Sequence, residues 1–280
     1  MKLNFDKHRD VWGPIFTLSL NQWGKKVLNP ATIFTENGQI KLEEFGSTPH
    51  GLIFKKKKSQ FTKKGIKYYP MEKIPDDYEK VKYFDYCAEE YEMATHEYKS
   101  YIFKKSFEIL KKYLSPNIRL LDCACGPGYE AITIAKSVPQ DEVVCVDLSQ
   151  EMITLAYNNA KEHHMTNMTF FQADVQNLPS ELFGKFDIVH CQLSCSYFTN
   201  LDLFAKNVYM ALGKKGFIFL IEPFPNFYNS YSIHYAKAAN PFFLRLYTSN
   251  ELKDTFLRIG FSDFYWKEIL PGIGLSIISK

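Results

Sequence analysis

The sequence predicts an α/β fold: a mostly parallel sheet with helices on both faces. Three observations support this fold class. Short apolar runs alternate with longer amphipathic segments from Ile118 onward. Residues with helix-capping side chains precede several of the amphipathic segments, and glycines follow two of them. Alternating strands and helices need crossover connections, which place neighbouring strands parallel.

Residues 1–77 are expected to form a small β-rich extension. Glycines and prolines separate four short β-prone pieces, which are Ala31–Phe34, Gln39–Leu42, Leu52–Phe54 and Ile66–Tyr69. Residues 1–80 contain 15 basic and 9 acidic residues, a net charge of +6, whereas the whole chain carries +3. This change in pattern and charge divides the chain into an extension, 1–77, and an α/β domain, 78–280.

Helices are expected over residues 78–114, where tyrosines and aliphatic residues recur at helical spacing and Ser115-Pro116 ends the last helix. The strands expected next are Ile118–Cys123, Glu142–Asp147, Met168–Ala173, Phe186–Cys191 and Gly216–Ile221, with Phe264–Leu270 and Gly274–Ser279 as a terminal pair. The helices between them are Tyr129–Val138, one capped by Ser149 that runs to about His163, one capped by Asn200 that runs to Leu212, and one with a Thr248/Glu251 capping box that ends at Gly260.

A glycine turn and two carboxylates lie at the ends of three successive strands. Gly126 and Gly128 follow the first strand, Asp147 ends the second, and Asp174 follows the third. Glycines allow a ligand to approach the backbone closely, and ligands of such sheets bind beyond the carboxyl ends of the strands. Asp147 can accept the two hydroxyls of a ribose. The turn alone also fits a dinucleotide fingerprint ending at Ala131, or a purely structural turn.

Together these segments resemble class I S-adenosylmethionine-dependent methyltransferases of the small-molecule type. The motifs that carry the resemblance are Leu121-Asp122-x-Ala124-Cys125-Gly126-Pro127-Gly128, Val146-Asp147-Leu148-Ser149-x-x-Met152-Ile153, Phe171-Gln172-Ala173-Asp174-Val175-x-x-Leu178-Pro179, Phe186-Asp187-Ile188-Val189-His190-Cys191 and Ala211-Leu212-Gly213-Lys214-Lys215-Gly216-Phe217. Upstream, Phe84-Asp85-Tyr86-x-Ala88-Glu89-x-Tyr91-Glu92 is similar to the family's N-terminal helix. The resemblance implies a Rossmann-like seven-stranded, mostly parallel sheet and S-adenosyl-L-methionine as cofactor.

The resemblance also implies a set of cofactor contacts. Asp147 would bind the ribose and Asp174 the adenine amino group, while Asp122 would support the turn. The complete set comprises Tyr91, Asp122, Ala124, Gly126, Gly128, Asp147, Leu148, Met152, Asp174, Val175 and Cys191. The family usually has glycine where Ala124 stands, so the backbone at Ala124 is expected to avoid strained angles.

The segment Phe224–Tyr247 is rich in aromatic residues and is expected to cap the substrate, although it can equally be a helical packing face. The substrate is therefore expected to be a small aromatic or apolar metabolite. An oxygen or carbon acceptor is favoured and nitrogen is possible. Loss of a proton from such an acceptor needs a base, for which the candidates are His234, Glu222 and His190, in that order.

Other functions stay open at this point. The protein could bind S-adenosylmethionine but catalyse another reaction, such as cyclisation or lysis. The basic N-terminal region, with the lysines of 55–67, could instead hold RNA or protein for methylation, or belong to a noncatalytic partner or RNA-binding protein. After the fourth strand, Gln192-Leu193-Ser194 replaces the Asn/Asp-Pro-Pro-Tyr motif of enzymes that methylate DNA bases or glutamine, which disfavours those substrates. The cysteine pairs 123/125 and 191/195 have no histidine at ligand spacing, so no metal is expected. No signal peptide or membrane span is apparent, and a cytoplasmic protein is expected.

Overall fold

The computed structural model describes residues 61–63, 66–68, 80–81, 84–85, 88, 99–225, 245–270 and 272–280. Nine strands of these residues form one sheet in the order β1-β2-β5-β4-β3-β6-β7-β9-β8. The strands are β1 (Phe61–Lys63), β2 (Ile66–Tyr68), β3 (Arg119–Cys123), β4 (Glu142–Asp147), β5 (Met168–Gln172), β6 (Phe186–Gln192), β7 (Leu212–Pro223), β8 (Asp263–Leu270) and β9 (Ile273–Ser279).

Helices cover both faces of the sheet. They are α1 (residues 99–110), α2 (Tyr129–Ser137), α3 (Gln150–Glu162), α4 (Leu201–Ala211) and α5 (Ser249–Ile259). One buried core cluster contains apolar residues of α1, α2 and α3, and the other contains those of α4 and α5. Residues 80–81, 84–85 and 88 are also helical. The predicted helix caps are confirmed: the side chains of Ser149, Asn200 and Thr248 accept backbone hydrogen bonds at the first turns of α3, α4 and α5.

Strands β3 to β9 form the predicted Rossmann-like seven-stranded sheet. Pairs β3–β4, β3–β6, β4–β5 and β6–β7 are parallel, and β9 runs antiparallel to both β7 and β8. The fifth predicted strand, expected from Gly216, begins at Leu212 instead, because Leu212 already pairs with Phe186 before a register shift. Two short 3-10 helices, Ser180–Leu182 and Cys195–Tyr197, were not predicted.

A hairpin from the N-terminal region lengthens the sheet beyond the seven predicted strands. β2 pairs antiparallel with β1 and parallel with β5, and it confirms the β-prone piece Ile66–Tyr69. Strand β1 was missed because its sequence, Phe-Thr-Lys, has no apolar alternation to reveal it. The other three β-prone pieces lie outside the described residues, and the division at residue 77 stays a prediction.

No helix within the described ranges has the length and apolar character needed to cross a membrane.

The hairpin is expected to contribute to the stability of the whole sheet. Ile66 is 2% exposed and belongs to the same core cluster as Phe170. Ile66→Ala should lower the free energy of unfolding by about 2–4 kcal/mol, because it leaves a cavity in that core. Denaturant unfolding checks this, with Leu203→Ala as control, since Leu203 is 46% exposed. For the control, the free energy of unfolding should change by no more than about 0.5 kcal/mol. An equally small change for Ile66→Ala would show that the hairpin does not contribute to the stability of the core.

Candidate active site

A cavity lies where four parallel strands end. The strand register places Cys123 beside Val146 and Cys191, and Asp147 beside Gln172, so the segments after β3, β4, β5 and β6 meet at one edge. The cavity has an empty volume of about 710 Å³, including its opening to solvent. Its lining residues are Lys80, Val81, Phe84, Lys99, Ala124, Gly126, Asp147, Leu148, Ser149, Met152, Asp174, Val175, Gln176, Leu193, Ser194, Tyr197 and Phe198.

The glycine turn after β3 contains three residues with left-handed backbone angles. Gly126 has φ 54° and Gly128 has φ 83°, as glycine permits. Ala124 also has φ 54°, which corrects the expectation that its backbone would avoid strained angles. A Cβ added at Gly126 would meet no atom within 4 Å, whereas one at Gly128 would lie 2.9 Å from Ala156 Cβ. Gly126 therefore borders open space in the cavity, and Gly128 permits close packing of α2 on α3.

The Asp147 carboxylate joins the glycine turn to the start of α3. Its Oδ2 accepts a hydrogen bond of 2.8 Å from Gly126 N, and its Oδ1 accepts one of 2.9 Å from Ser149 N. Burial raises the pKa of Asp147 to about 6, although both backbone donors oppose the shift. Each carboxylate oxygen can accept more than one hydrogen bond, so Asp147 retains acceptor capacity toward the cavity.

Asp174 is held by a residue that the sequence did not indicate. Gln176 N donates to Asp174 Oδ1 over 2.8 Å. The side-chain oxygen of Gln176 accepts hydrogen bonds from Thr199 Oγ1 (3.0 Å) and Asn200 N (2.7 Å). Gln176 thereby connects the segment after β5 to the start of α4 and shapes the wall beside Asp174.

Three predicted cofactor contacts do not line the cavity. Asp122 and Cys191 lie within β3 and β6, where their side chains are enclosed by the sheet, and Gly128 is the N-terminal cap of α2. The nearest partner of Asp122 is not the turn, as expected, but His190: Asp122 Oδ1 lies 2.6 Å from His190 Nδ1. The two residues are cross-strand partners in the parallel pair β3–β6, which explains the contact.

Of the three candidate bases, the structure describes two. His190 is 1% exposed and packs between the rings of Phe103 and Phe219, outside the cavity lining. Glu222 is buried just behind the lining, where its Oε1 accepts hydrogen bonds from Ser194 N (2.7 Å) and Cys195 N (3.0 Å). Burial raises the pKa of Glu222 to about 7. His234 and the predicted cofactor contact Tyr91 lie outside the described residues, as does most of the predicted substrate cap.

Two thiols lie next to Glu222. The sulfur atoms of Cys191 and Cys195 and a carboxylate oxygen of Glu222 all lie within 4.8 Å of one another, a grouping that could offer metal ligands. Metal binding requires thiolates, however, and burial raises the pKa of both thiols. Protonated thiols are therefore favoured, and these residues form a buried polar support for the segment after β6.

Sequence reasoning missed several lining residues because they come from distant parts of the chain. Lys80, Val81, Phe84 and Lys99 come from the helical region between β2 and β3. The remaining missed residues follow strand ends or form the Cys195–Tyr197 turn; they are Ser149, Gln176, Leu193, Ser194, Tyr197 and Phe198. The motif around Phe84 was the one signal that pointed to the first group.

A family model for a methyltransferase domain matches residues 114–255, about half of the chain. The chain belongs to the class I S-adenosylmethionine-dependent methyltransferases. This methyltransferase is 27% identical over 112 residues to malonyl-[acyl-carrier protein] O-methyltransferase of Bacillus cereus, covering 39% of this chain and 40% of the relative. It is 36% identical over 83 residues to release factor glutamine methyltransferase of Aliivibrio fischeri, covering 29% of each. The chain thus spans well under half the length of these curated relatives.

The fold of this methyltransferase is similar to that of Haemonchus contortus phosphoethanolamine N-methyltransferase 2, solved in complex with S-adenosyl-L-methionine. The TM-score is 0.54 with 19% identity, over 72% of this chain and 47% of the other. S-adenosylmethionine is the cofactor of this family, and the cavity fits it. Carboxylates with acceptor capacity stand at two strand ends, and Gly126 leaves open space. The apolar side chains of Leu148, Met152 and Val175 line the same cavity.

Cofactor affinity is expected to depend on Asp147. Asp147→Ala should weaken S-adenosylhomocysteine binding tenfold or more, because ribose hydroxyls would lose a charged acceptor. In the unmodified protein, affinity should fall as pH drops through about 6, since protonation of Asp147 removes that charge. Calorimetry across pH 5–8 measures both effects. Asp202→Asn is the control, because Asp202 is an exposed partner of Arg258. Equal affinities for Asp147→Ala and the control would exclude this role.

Proposed function

We propose that this protein transfers the methyl group of S-adenosylmethionine to a small apolar or aromatic metabolite, with an oxygen or carbon acceptor favoured. The observation that carries the proposal is the convergence of Gly126, Asp147 and Asp174 on one cavity whose remaining wall is largely apolar and aromatic. Small-molecule sites typically combine such apolar walls with a few fixed polar groups.

The residues at the strand ends would hold the cofactor in a defined orientation. Asp147 would accept the ribose hydroxyls, and Asp174 would accept the adenine amino group. Leu148, Met152 and Val175 would flank the adenine ring, and Gly126 would leave room for the methionine portion. These roles use the acceptor capacity and apolar surface that the cavity presents.

S-adenosylmethionine, when bound, supplies a methyl group already activated by a sulfonium. The protein therefore needs chiefly to align the acceptor with that methyl group and to exclude water. Phe84, Tyr197 and Phe198 line the cavity, where their apolar rings can exclude water. The ring of Phe84 lies edge-on to that of Tyr197, with centroids 5.6 Å apart, so the two aromatic groups form a continuous wall.

A small substrate accounts for the site better than a polymer amide does. Gln192, which stands where amide-methylating enzymes carry their Asn/Asp-Pro-Pro-Tyr motif, is buried, and its side-chain nitrogen donates to Glu130 Oε1 over 3.1 Å. Its side-chain nitrogen is thus occupied, its Oε1 has no hydrogen-bond partner among the described residues, and Gln192 does not line the cavity. The likeness to a malonyl-[acyl-carrier protein] O-methyltransferase supports an oxygen acceptor. Cyclisation or lysis of the cofactor has no comparable support.

For an acceptor that loses a proton, we propose Glu222 rather than His190 as the base among the described residues. Glu222 Oε1 contacts the backbone of Ser194, which lines the cavity, whereas His190 is engaged by Asp122 within the core. A pKa of about 7 suits proton transfer near neutral pH. His234 stays the alternative candidate.

Methyl transfer can be tested with methyl-labelled S-adenosylmethionine and a cell extract separated into metabolite and macromolecular fractions. Label should appear in an organic-soluble metabolite, and Asp147→Ala should reduce the transfer. Label in RNA or protein would overturn the proposed substrate class. Consumption of the cofactor with no labelled acceptor would instead support cyclisation or lysis chemistry.

Glu222→Gln tests the proposed base once an acceptor is known. The rate of the unmodified protein should rise with pH through about 7, because Glu222 must be ionised to accept a proton. Glu222→Gln should lose this rise and slow the reaction about a hundredfold. Glutamine keeps one acceptor oxygen for Ser194 N and Cys195 N, so the segment after β6 should hold its place. If Glu222→Gln has the same pH–rate profile as the unmodified protein, Glu222 is not the base, and His234 becomes the candidate.

A further inference from the structure

The helical residues 80–81 and 84–85 lie beside the cavity, which Lys80, Val81 and Phe84 line. Asp85, at one end, is 5% exposed, and its Oδ1 accepts hydrogen bonds from Ser149 Oγ over 2.6 Å and from Glu151 N over 3.1 Å. Both donors belong to the first turn of α3. A carboxylate placed there satisfies a free backbone N–H and is favoured by the helix dipole.

Lys80 and Phe84 contact a second part of the cavity wall, at Tyr197. Lys80 Nζ donates to Tyr197 O over 2.9 Å, and the rings of Phe84 and Tyr197 meet edge to face at 87°. Val81 and Phe84 both line the cavity. Lys80, Val81 and Phe84 therefore form part of the cavity wall. The neighbouring Asp85 is bound to the start of α3, and Lys80 and Phe84 contact Tyr197.

A continuous series of hydrogen bonds connects Asp85 to the glycine turn. Ser149 donates through Oγ to Asp85 and through N to Asp147 Oδ1, and Asp147 Oδ2 accepts from Gly126 N. Ser149 Oγ also accepts from Met152 N over 3.1 Å. Asp85 thus orients the one residue that lies between it and Asp147.

We propose that Asp85 is a positioning residue for cofactor binding, which fixes the neighbouring Phe84 in the cavity wall and orients Ser149 and Asp147 through its hydrogen bonds to the start of α3. This inference rests on the proposed use of the cavity as the cofactor site. Asp85 does not line the cavity, so it acts through its neighbours. Its removal should weaken cofactor binding even where the fold persists.

Ionisation of Asp85 should add a pH dependence to this effect. Burial is the largest cause that raises the pKa of Asp85 to about 7, and the nearby carboxylates of Glu151 and Asp147 add to the shift. Below that pH, Asp85 is neutral and its Oδ1 is a weaker acceptor. Affinity for the cofactor product should therefore increase between pH 6 and 8, and Asp85→Asn should remove the part of this increase centred near 7.

The test compares S-adenosylhomocysteine binding by calorimetry in the full chain, at a temperature well below unfolding. Asp85→Ala should weaken binding about tenfold. Asp85→Asn, which keeps one acceptor oxygen, should weaken it less. Within the described residues Asp85 Oδ2 has no hydrogen-bond partner, so the asparagine nitrogen displaces no contact there. Ser149→Ala deletes the same hydrogen bond from the other side and should also weaken binding. Asp202→Asn, which breaks only an exposed ion pair, should have no effect.

Thermal unfolding of the same variants separates positioning from simple stabilisation. Lower melting temperatures for Asp85→Ala and Asp85→Asn with affinities equal to that of Asp202→Asn would overturn the inference, because Asp85 would then be only a structural carboxylate. Failure of the unmodified protein to bind S-adenosylhomocysteine would overturn the proposed cofactor site itself, and the inference with it. Weaker binding by the Asp85 and Ser149 variants, with binding by the unmodified protein and by Asp202→Asn intact, supports both the cofactor site and the role of Asp85.

Discussion

The cavity depends on one partly buried carboxylate that accepts hydrogen bonds from two backbone segments. Asp147 ends β4 and binds the N–H groups of Gly126 and Ser149, so the turn after β3 and the start of α3 share one acceptor. Neither N–H could be satisfied by a regular strand or helix at that place, and leaving such groups buried without partners is costly. The carboxylate therefore gives shape to the edge of the sheet where the cofactor is expected.

This arrangement has a cost in stability. Burial raises the pKa of Asp147 to about 6 and those of Asp85 and Glu222 to about 7, from ordinary values near 4. The folded state therefore favours the protonated forms, and these three groups make folding less favourable as pH rises from about 4 to 7. All three lie at or behind the cavity wall. Carboxylates that are costly to bury yet clustered at one cavity are characteristic of functional sites.

The sheet and the residues that cover it make different contributions to the site. Strand ends within the matched methyltransferase domain, residues 114–255, provide the glycine turn and the acidic residues. Other lining residues precede that domain in the chain and complete the cavity wall; they are Lys80, Val81, Phe84 and Lys99. Those expected cofactor contacts that the structure describes thus belong to the part that the chain shares with its family, whereas Tyr91 precedes it. The lining residues that precede this part can differ between relatives, and they are therefore expected to influence which substrate fits.

The sequence by itself determined the order of the strands and α-helices from β3 onward, the helix caps at Ser149, Asn200 and Thr248, and the strand-end residues Gly126, Asp147 and Asp174. These features depend on local patterns: apolar periodicity, capping side chains and the position of a residue relative to a strand end. From parallel pairing it follows that such ends meet at one edge of the sheet.

Only the tertiary structure decided which distant residues complete the cavity. Asp85 binds Ser149 across 64 residues of sequence, and Lys80 reaches the carbonyl of Tyr197 across 117. Asp122 is bound to His190 instead of supporting the turn, because the register of β3 and β6 places the two side by side. Local sequence patterns carry no information about these long-range contacts. The contacts depend on how the crossover connections return each segment to the sheet, and on which buried polar groups then need hydrogen-bond partners.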